Sequence, residues 1–146
     1  MPYAERTRVP IEQTKTEIER TLTRYGADRF AYFTEAGMAL IIFEAHDRRL
    51  KFTLPLPTGG SGKDDALRRR KWRALLLCIK AKLEAVESKI ESFEEAFLSH
   101  VILPDGSTVG EATRGTIAAV YKSGQMAPLL APPQSKGDVH GKDASR

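Results

Sequence analysis

The sequence predicts an α+β fold: an antiparallel three-stranded meander packed on a long amphipathic helix, with flanking N- and C-terminal helices and a short second hairpin. Three observations point to it. Between Arg29 and Leu56, three β-type runs follow one another with only short turns between them. From Trp72 to Phe97, apolar residues recur in an unbroken 4-3 spacing. Glycine, proline and Asp-Gly signals stand where these elements must end.

Taken in order, Pro10 followed by Ile11, Ile18, Leu22 and Tyr25 reads as a first helix. Proline suits the first turn, and Gly26 suits the stop. The runs 29–34 (RFAYFT), 38–45 (MALIIFEA) and 49–56 (RLKFTLPL) then form the meander, turning at Glu35-Ala36-Gly37 and His46-Asp47-Arg48. The third run alternates, with Leu50, Phe52, Leu54 and Leu56 on one face and Arg49, Lys51 and Thr53 on the other. The second is apolar on both faces, as a central strand would be. Its second face is therefore partly covered, or displays apolar groups beside basic ones.

Thr58-Gly59-Gly60-Ser61-Gly62 reads as a flexible connector over 58–63, of the kind also substituted for longer native loops. A helix from Asp65 to Ser99 follows, its stripe formed by Trp72, Leu76, Ile79, Leu83, Val86, Ile90, Phe93 and Phe97. Serines at 88 and 92 offer a break. The stripe fits either core packing on the sheet, favoured by its three large aromatics, or a coiled-coil seam. Cys78, beside Leu77 and Ile79, reads as a buried small hydrophobe. Val101-Ile102-Leu103 and Thr108-Val109 flank a Pro-Asp-Gly-Ser turn, giving the second hairpin. A final helix over 111–123 would turn Ile117, Val120 and Tyr121 inward and end at Gly124. One domain is expected over 1–133, followed by a polar, disordered tail over 134–146.

Composition is that of a globular domain, with 41% hydrophobic and 29% charged residues. The single cysteine rules out an internal disulfide framework and a multi-cysteine zinc site, and suggests a reducing compartment. The N-terminal MPYAERTRVP lacks the apolar segment of a signal peptide. No apolar run approaches the roughly 20 residues that span a bilayer. A cytoplasmic protein is expected, without a membrane partner.

Charge is distributed unevenly. Residues 48–82 carry eleven Lys or Arg against two Asp, a net of +9, and residues 83–111 carry seven acids against one Lys, a net of −6. The cluster Arg68, Arg69, Arg70, Lys71 and Arg73 opposes the dipole at a helix N-terminus, a conflict that bound phosphates would relieve. Arg49 and Lys51, together with aromatics, would extend such a site into a groove for single-stranded nucleic acid. The competing reading is a solvated basic turn softened by Asp64 and Asp65. Two such helices lying antiparallel would set basic halves against acidic ones, so a homodimer is also expected. No catalytic signature, cofactor site or metal site emerges. His46, His100 and His140 lack metal-ligand spacing, and Pro104-Asp105 reads as a turn rather than the opening of a nuclease motif.

The runs RYGADRFAYF, IIFEAHDRRLKFTLPLP, WRALLLCIKAKLEAVESKIESFEEAFLSHVILPDGSTVGE and YKSGQMAPLLAPP resemble a group of small proteins encoded by bacteriophages and prophages, over most of residues 2–133. That group has no settled function, and it supplies no catalytic residues to carry over. The resemblance implies a role in DNA metabolism or in countering the host. The functional expectation is therefore a non-enzymatic, nucleic-acid-binding accessory protein of phage replication or recombination, with DNA, single-stranded in particular, as its partner. The alternative is a module that inhibits or recruits a host protein through Glu84, Glu87, Glu91, Glu94 and Glu95.

Overall fold

Pro10 caps the first helix, α1 (Ile11–Thr23), which buries Thr14, Ile18, Thr21 and Leu22. Its chain exits through Gly26, whose φ of +94° an L side chain rarely adopts. The computed structural model to which α1 belongs describes residues 8–130, so the tail expected over 134–146 lies outside the described residues. The described chain divides into two compact units, one ending at Gly110 and the other beginning at Glu111.

The first unit carries the three-stranded antiparallel sheet, in the order β1 (Ala27–Glu35), β2 (Met38–Ala45), β3 (Arg48–Pro55). Each connection is short. Gly37, at φ +87°, closes the first hairpin, and His46 and Asp47, both at positive φ, close the second. His46 is held there because its ring lies 4.3 Å from that of Phe93 and its Nε2 lies 3.0 Å from the Tyr25 carbonyl. The inner face presents Ala39, Ile41, Phe43, Leu50, Phe52 and Leu54, all buried. β2 alternates between buried and half-buried along its whole length, so its second apolar face is only partly shielded.

The connector expected over 58–63 runs into the next helix, to which it is joined at Gly59 and Ser61. Ser61 caps the next helix by accepting from the Asp64 amide at 3.1 Å, and a Cβ at Gly59 would collide with the Asp64 carboxylate. From there α2 (Gly62–Glu87) runs across the inner side, burying Trp72, Leu75, Leu76, Ile79 and Leu83. From Trp72 to Leu83 the stripe is thus core, as the aromatics indicated. Cys78 is exposed, contrary to the sequence expectation, because it lies on the side of α2 away from Trp72, Leu76, Ile79 and Leu83.

The helix expected over 65–99 is interrupted between the two serines that offered a break, Ser88 ending α2 and Ser92 opening the next helix. Lys89, at φ +61°, donates its amide to the Val86 carbonyl at 3.1 Å, while Ile90 donates to Ala85 at 2.9 Å. This reciprocal pair closes a helix in the Schellman manner, here without glycine. Ile90, a member of the predicted stripe, is left 77% exposed. The chain restarts at Ser92, whose hydroxyl accepts from the Glu95 amide at 3.1 Å while the Glu95 carboxylate accepts from the Ser92 amide at 2.8 Å. This capping box opens α3 (Phe93–Phe97) and returns Phe97 to the core at 0% exposure.

A 3₁₀ turn follows at Leu98–His100, then the expected second hairpin, reduced to two isolated bridges. Leu50 pairs with Val101 and Ile102 with Thr108, so residues 101–102 extend the sheet beside β3. The His100 ring stacks on Phe52 at 3.9 Å, with Nδ1 at 3.2 Å from the Lys51 carbonyl. Burial, reinforced by the Lys82 charge, lowers the His100 pKa from its ordinary 6.5. The unfolded chain then binds a proton that the folded chain refuses. The His100 contribution to stability is full above pH 6.5 and is lost as the pH falls. The expected outcome is a lower Tm at pH 5 than at pH 7, with the difference reduced in His100→Gln, as read by thermal denaturation.

α4 (Val109–Ser123), all but its first two residues in the second unit, reaches its expected end at Gly124, which takes φ +72°. The inward placing of Ile117 and Tyr121 is corrected, since they are 41% and 86% exposed, while Val120 is half-buried. Among the described residues of that unit α4 is the only regular element, so its apolar positions have no second element of the unit to pack on.

Candidate nucleic-acid interface

The sheet has a second face, and the strand register assembles it row by row. Ala31, Ile42 and Lys51 form one row, and Phe33, Leu40 and Thr53 the next. These residues alternate with the buried inner set, so they point away from α1 and α2. Phe33 is 56% exposed, an aromatic ring standing on an open face beside half-buried Leu40 and Ile42.

Cations rim this apolar strip. A β-bulge interrupts β1 between Asp28 and Ala31, where Arg29 takes φ +57°. Arg29 comes within 3.7 Å of Glu44, and Arg49, opposite Glu44 in register, lies 3.6 Å from the same carboxylate. The two guanidinium groups are 77% and 63% exposed. Both contacts are long and solvated, the kind that contributes little and yields readily to a stronger anion. Lys51 extends its Nζ to the Gly106 carbonyl at 3.4 Å. The loop carrying Gly106 is pinned at Asp105, whose carboxylate accepts from the Ser107 hydroxyl at 2.6 Å and the Ser107 amide at 2.9 Å. Those two bonds hold the Asp105 carboxyl below the usual carboxylate range. Between this loop and Arg48–Arg49 lies a cleft of about 490 Å³.

The structure does not gather the seven residues singled out in the sequence. Arg49 and Lys51 stand on the outer face, whereas Arg68, Arg69, Arg70, Lys71 and Arg73 belong to α2, on the inner side. Two of the five helix cations find partners within the fold. Arg68 pairs with Asp65 at 2.7 Å and donates to the carbonyls of Pro57 and Gly59. Arg73 pairs with Glu17 at 2.6 Å with its side chain only 11% exposed, and this bond holds the Glu17 carboxyl below its usual range. Arg69 buries its Nε without a partner. Like Arg69, Arg70 and Lys71 have neither a hydrogen bond nor an ion pair among the described residues.

The acidic series is similarly dispersed. Glu84 accepts from Ser88, Glu87 accepts from Tyr25 at 2.8 Å, Glu94 pairs with Arg48 at 2.6 Å, and Glu95 caps α3. Phe33 and Arg29 escaped the sequence reading. The signal for Phe33 lay in the parity of RFAYFT, but the bulge before Ala31 shifts that parity, and no local motif announces it.

Among the described residues no cluster of three or more His, Cys, Asp or Glu is placed to hold a metal ion. None of their helices is long and apolar enough to cross a membrane. No family model, no curated protein and no solved structure matches this chain.

Proposed function

We propose that the protein is a non-enzymatic nucleic-acid-binding accessory protein, and that it lays single-stranded DNA across the outer face of its sheet. One observation carries this reading: an exposed aromatic, Phe33, stands on an open sheet face whose rim supplies Arg29, Arg49 and Lys51. Bases stack on such a ring whatever their identity, and guanidinium and ammonium groups take the phosphates. The flat, ring-bearing surface suits unstacked bases better than a closed duplex. The resemblance to phage-encoded proteins supports a place in replication or recombination within a reducing compartment.

The test separates the two faces of the sheet. Fluorescence anisotropy with a labelled single strand is expected to show Arg49→Glu/Lys51→Glu weakening binding for every sequence alike. Its log–log salt dependence should flatten by roughly 0.7 for each contact removed. Arg70→Glu/Lys71→Glu, on the inner side, is expected to bind as the parent does. The reverse ranking would move the interface to α2.

A further inference from the structure

Among the described residues β1 is bonded to β2 on one side only, at the end of the sheet. Beyond the bulge its regular stretch reads Phe30-Ala31-Tyr32-Phe33-Thr34, with neither proline nor lysine, bounded by Arg29 and Glu35. Edge strands of this apolar composition are normally shielded, since their unpaired amides and carbonyls template a further strand.

We infer that a second copy of this chain covers that edge, β1 pairing antiparallel with β1 about Tyr32. The inference stands apart from the nucleic-acid reading. About this axis Tyr32 faces the partner's Tyr32, Ala31 faces the partner's Phe33, and Phe30 faces the partner's Thr34. Residues of the same parity stand opposite one another, so the amides and carbonyls that one edge turns outward meet those of the other. Just beyond the ladder, Arg29 comes beside the partner's Glu35, and the two-fold axis repeats each contact.

Size and charge both select this register. The large exposed Phe33 lies over the small Ala31, and its ring is within diagonal reach of the partner's Phe33. Arg29 is 77% exposed and Glu35 is exposed, so the oppositely charged ends are available to each other. A slip of one residue turns Phe33 to the wrong face, and a slip of two separates Arg29 from the partner's Glu35. The paired sheet would have six strands, with both Phe33 rings on one continuous outer face.

Sedimentation velocity of the protein alone, without nucleic acid, tests this directly. The expected mass is twice the 16.2 kDa of the chain. Arg29→Glu and Glu35→Arg each place like charges opposite at two symmetric positions and are expected to weaken the dimer about tenfold. Combining them restores the pairs and the parent affinity. A chain that stays monomeric at every attainable concentration overturns the inference. So does a dimer indifferent to both single reversals, which would place its contact elsewhere.

Discussion

Phe97→Ala is expected to lower the stability of the first unit by about 3–5 kcal/mol, the range for removing a buried aromatic and leaving its cavity behind. Phe97 is fully buried, with its ring edge-on to Phe43 at 6.4 Å and to Phe52 at 6.2 Å. It also stacks on Phe93 at 4.6 Å, with the Lys82 Nζ 5.9 Å from its centroid. This one side chain joins the short helix α3 to β2 and β3. Denaturant unfolding should show a lower midpoint at unchanged slope. Ile90→Ala provides the contrast. If the heptad stripe continued through residue 90, that change would cost as much as any core truncation. With Ile90 77% exposed, it should change stability by less than about 0.5 kcal/mol.

Phe33→Ala is expected to leave stability nearly unchanged and to weaken single-strand binding by about 1–3 kcal/mol, the worth of one base stacked on an aromatic ring. That is roughly five- to 150-fold in Kd. The two readouts are separable because the ring stands on the outer face, 56% exposed, away from the core beneath β2. Phe33→Trp keeps a π-face and should retain binding, whereas Phe33→Leu keeps apolar area without one and should not. Loss of binding together with loss of fold would instead assign Phe33 to packing.

The meander was readable because its evidence is local. Alternation in β3, a β2 apolar on both faces and turn residues between them fix three strands whose observed ends lie within two residues of those expected. The stripe from Trp72 to Leu83 was equally legible, since periodicity reports which face is buried. It misled after Val86. The 4-3 spacing continues through Ile90, but hydrogen bonding at Lys89 and the Ser92–Glu95 capping box end one helix and begin another. Ser88 and Ser92 offered that break, and Ser-x-x-Glu is the start signal at which the chain resumes its helix.

The site was less legible for a related reason. Charge runs along a chain, but the surfaces that meet a partner are assembled across it. Arg68 through Arg73 form the densest basic run, yet two of its members are held by Asp65 and Glu17, the second of these 56 residues away in sequence. Arg29, unremarkable in its segment, reaches the outer face through a bulge that alternation does not foresee. The exposure of Cys78 follows the same logic. Its apolar neighbours suggested burial, but its angular position on α2 decided otherwise.

The most direct test of the central claim is a salt titration of binding to a single-stranded oligonucleotide, alongside the same sequence as a duplex. Saturable binding to the single strand is expected, tighter than to the duplex, with log K falling linearly against log salt at about 0.7 per phosphate contacted. Three cations on the outer face then give a slope near −2. Absence of saturable binding at the lowest salt, or a preference for duplex, would contradict the account.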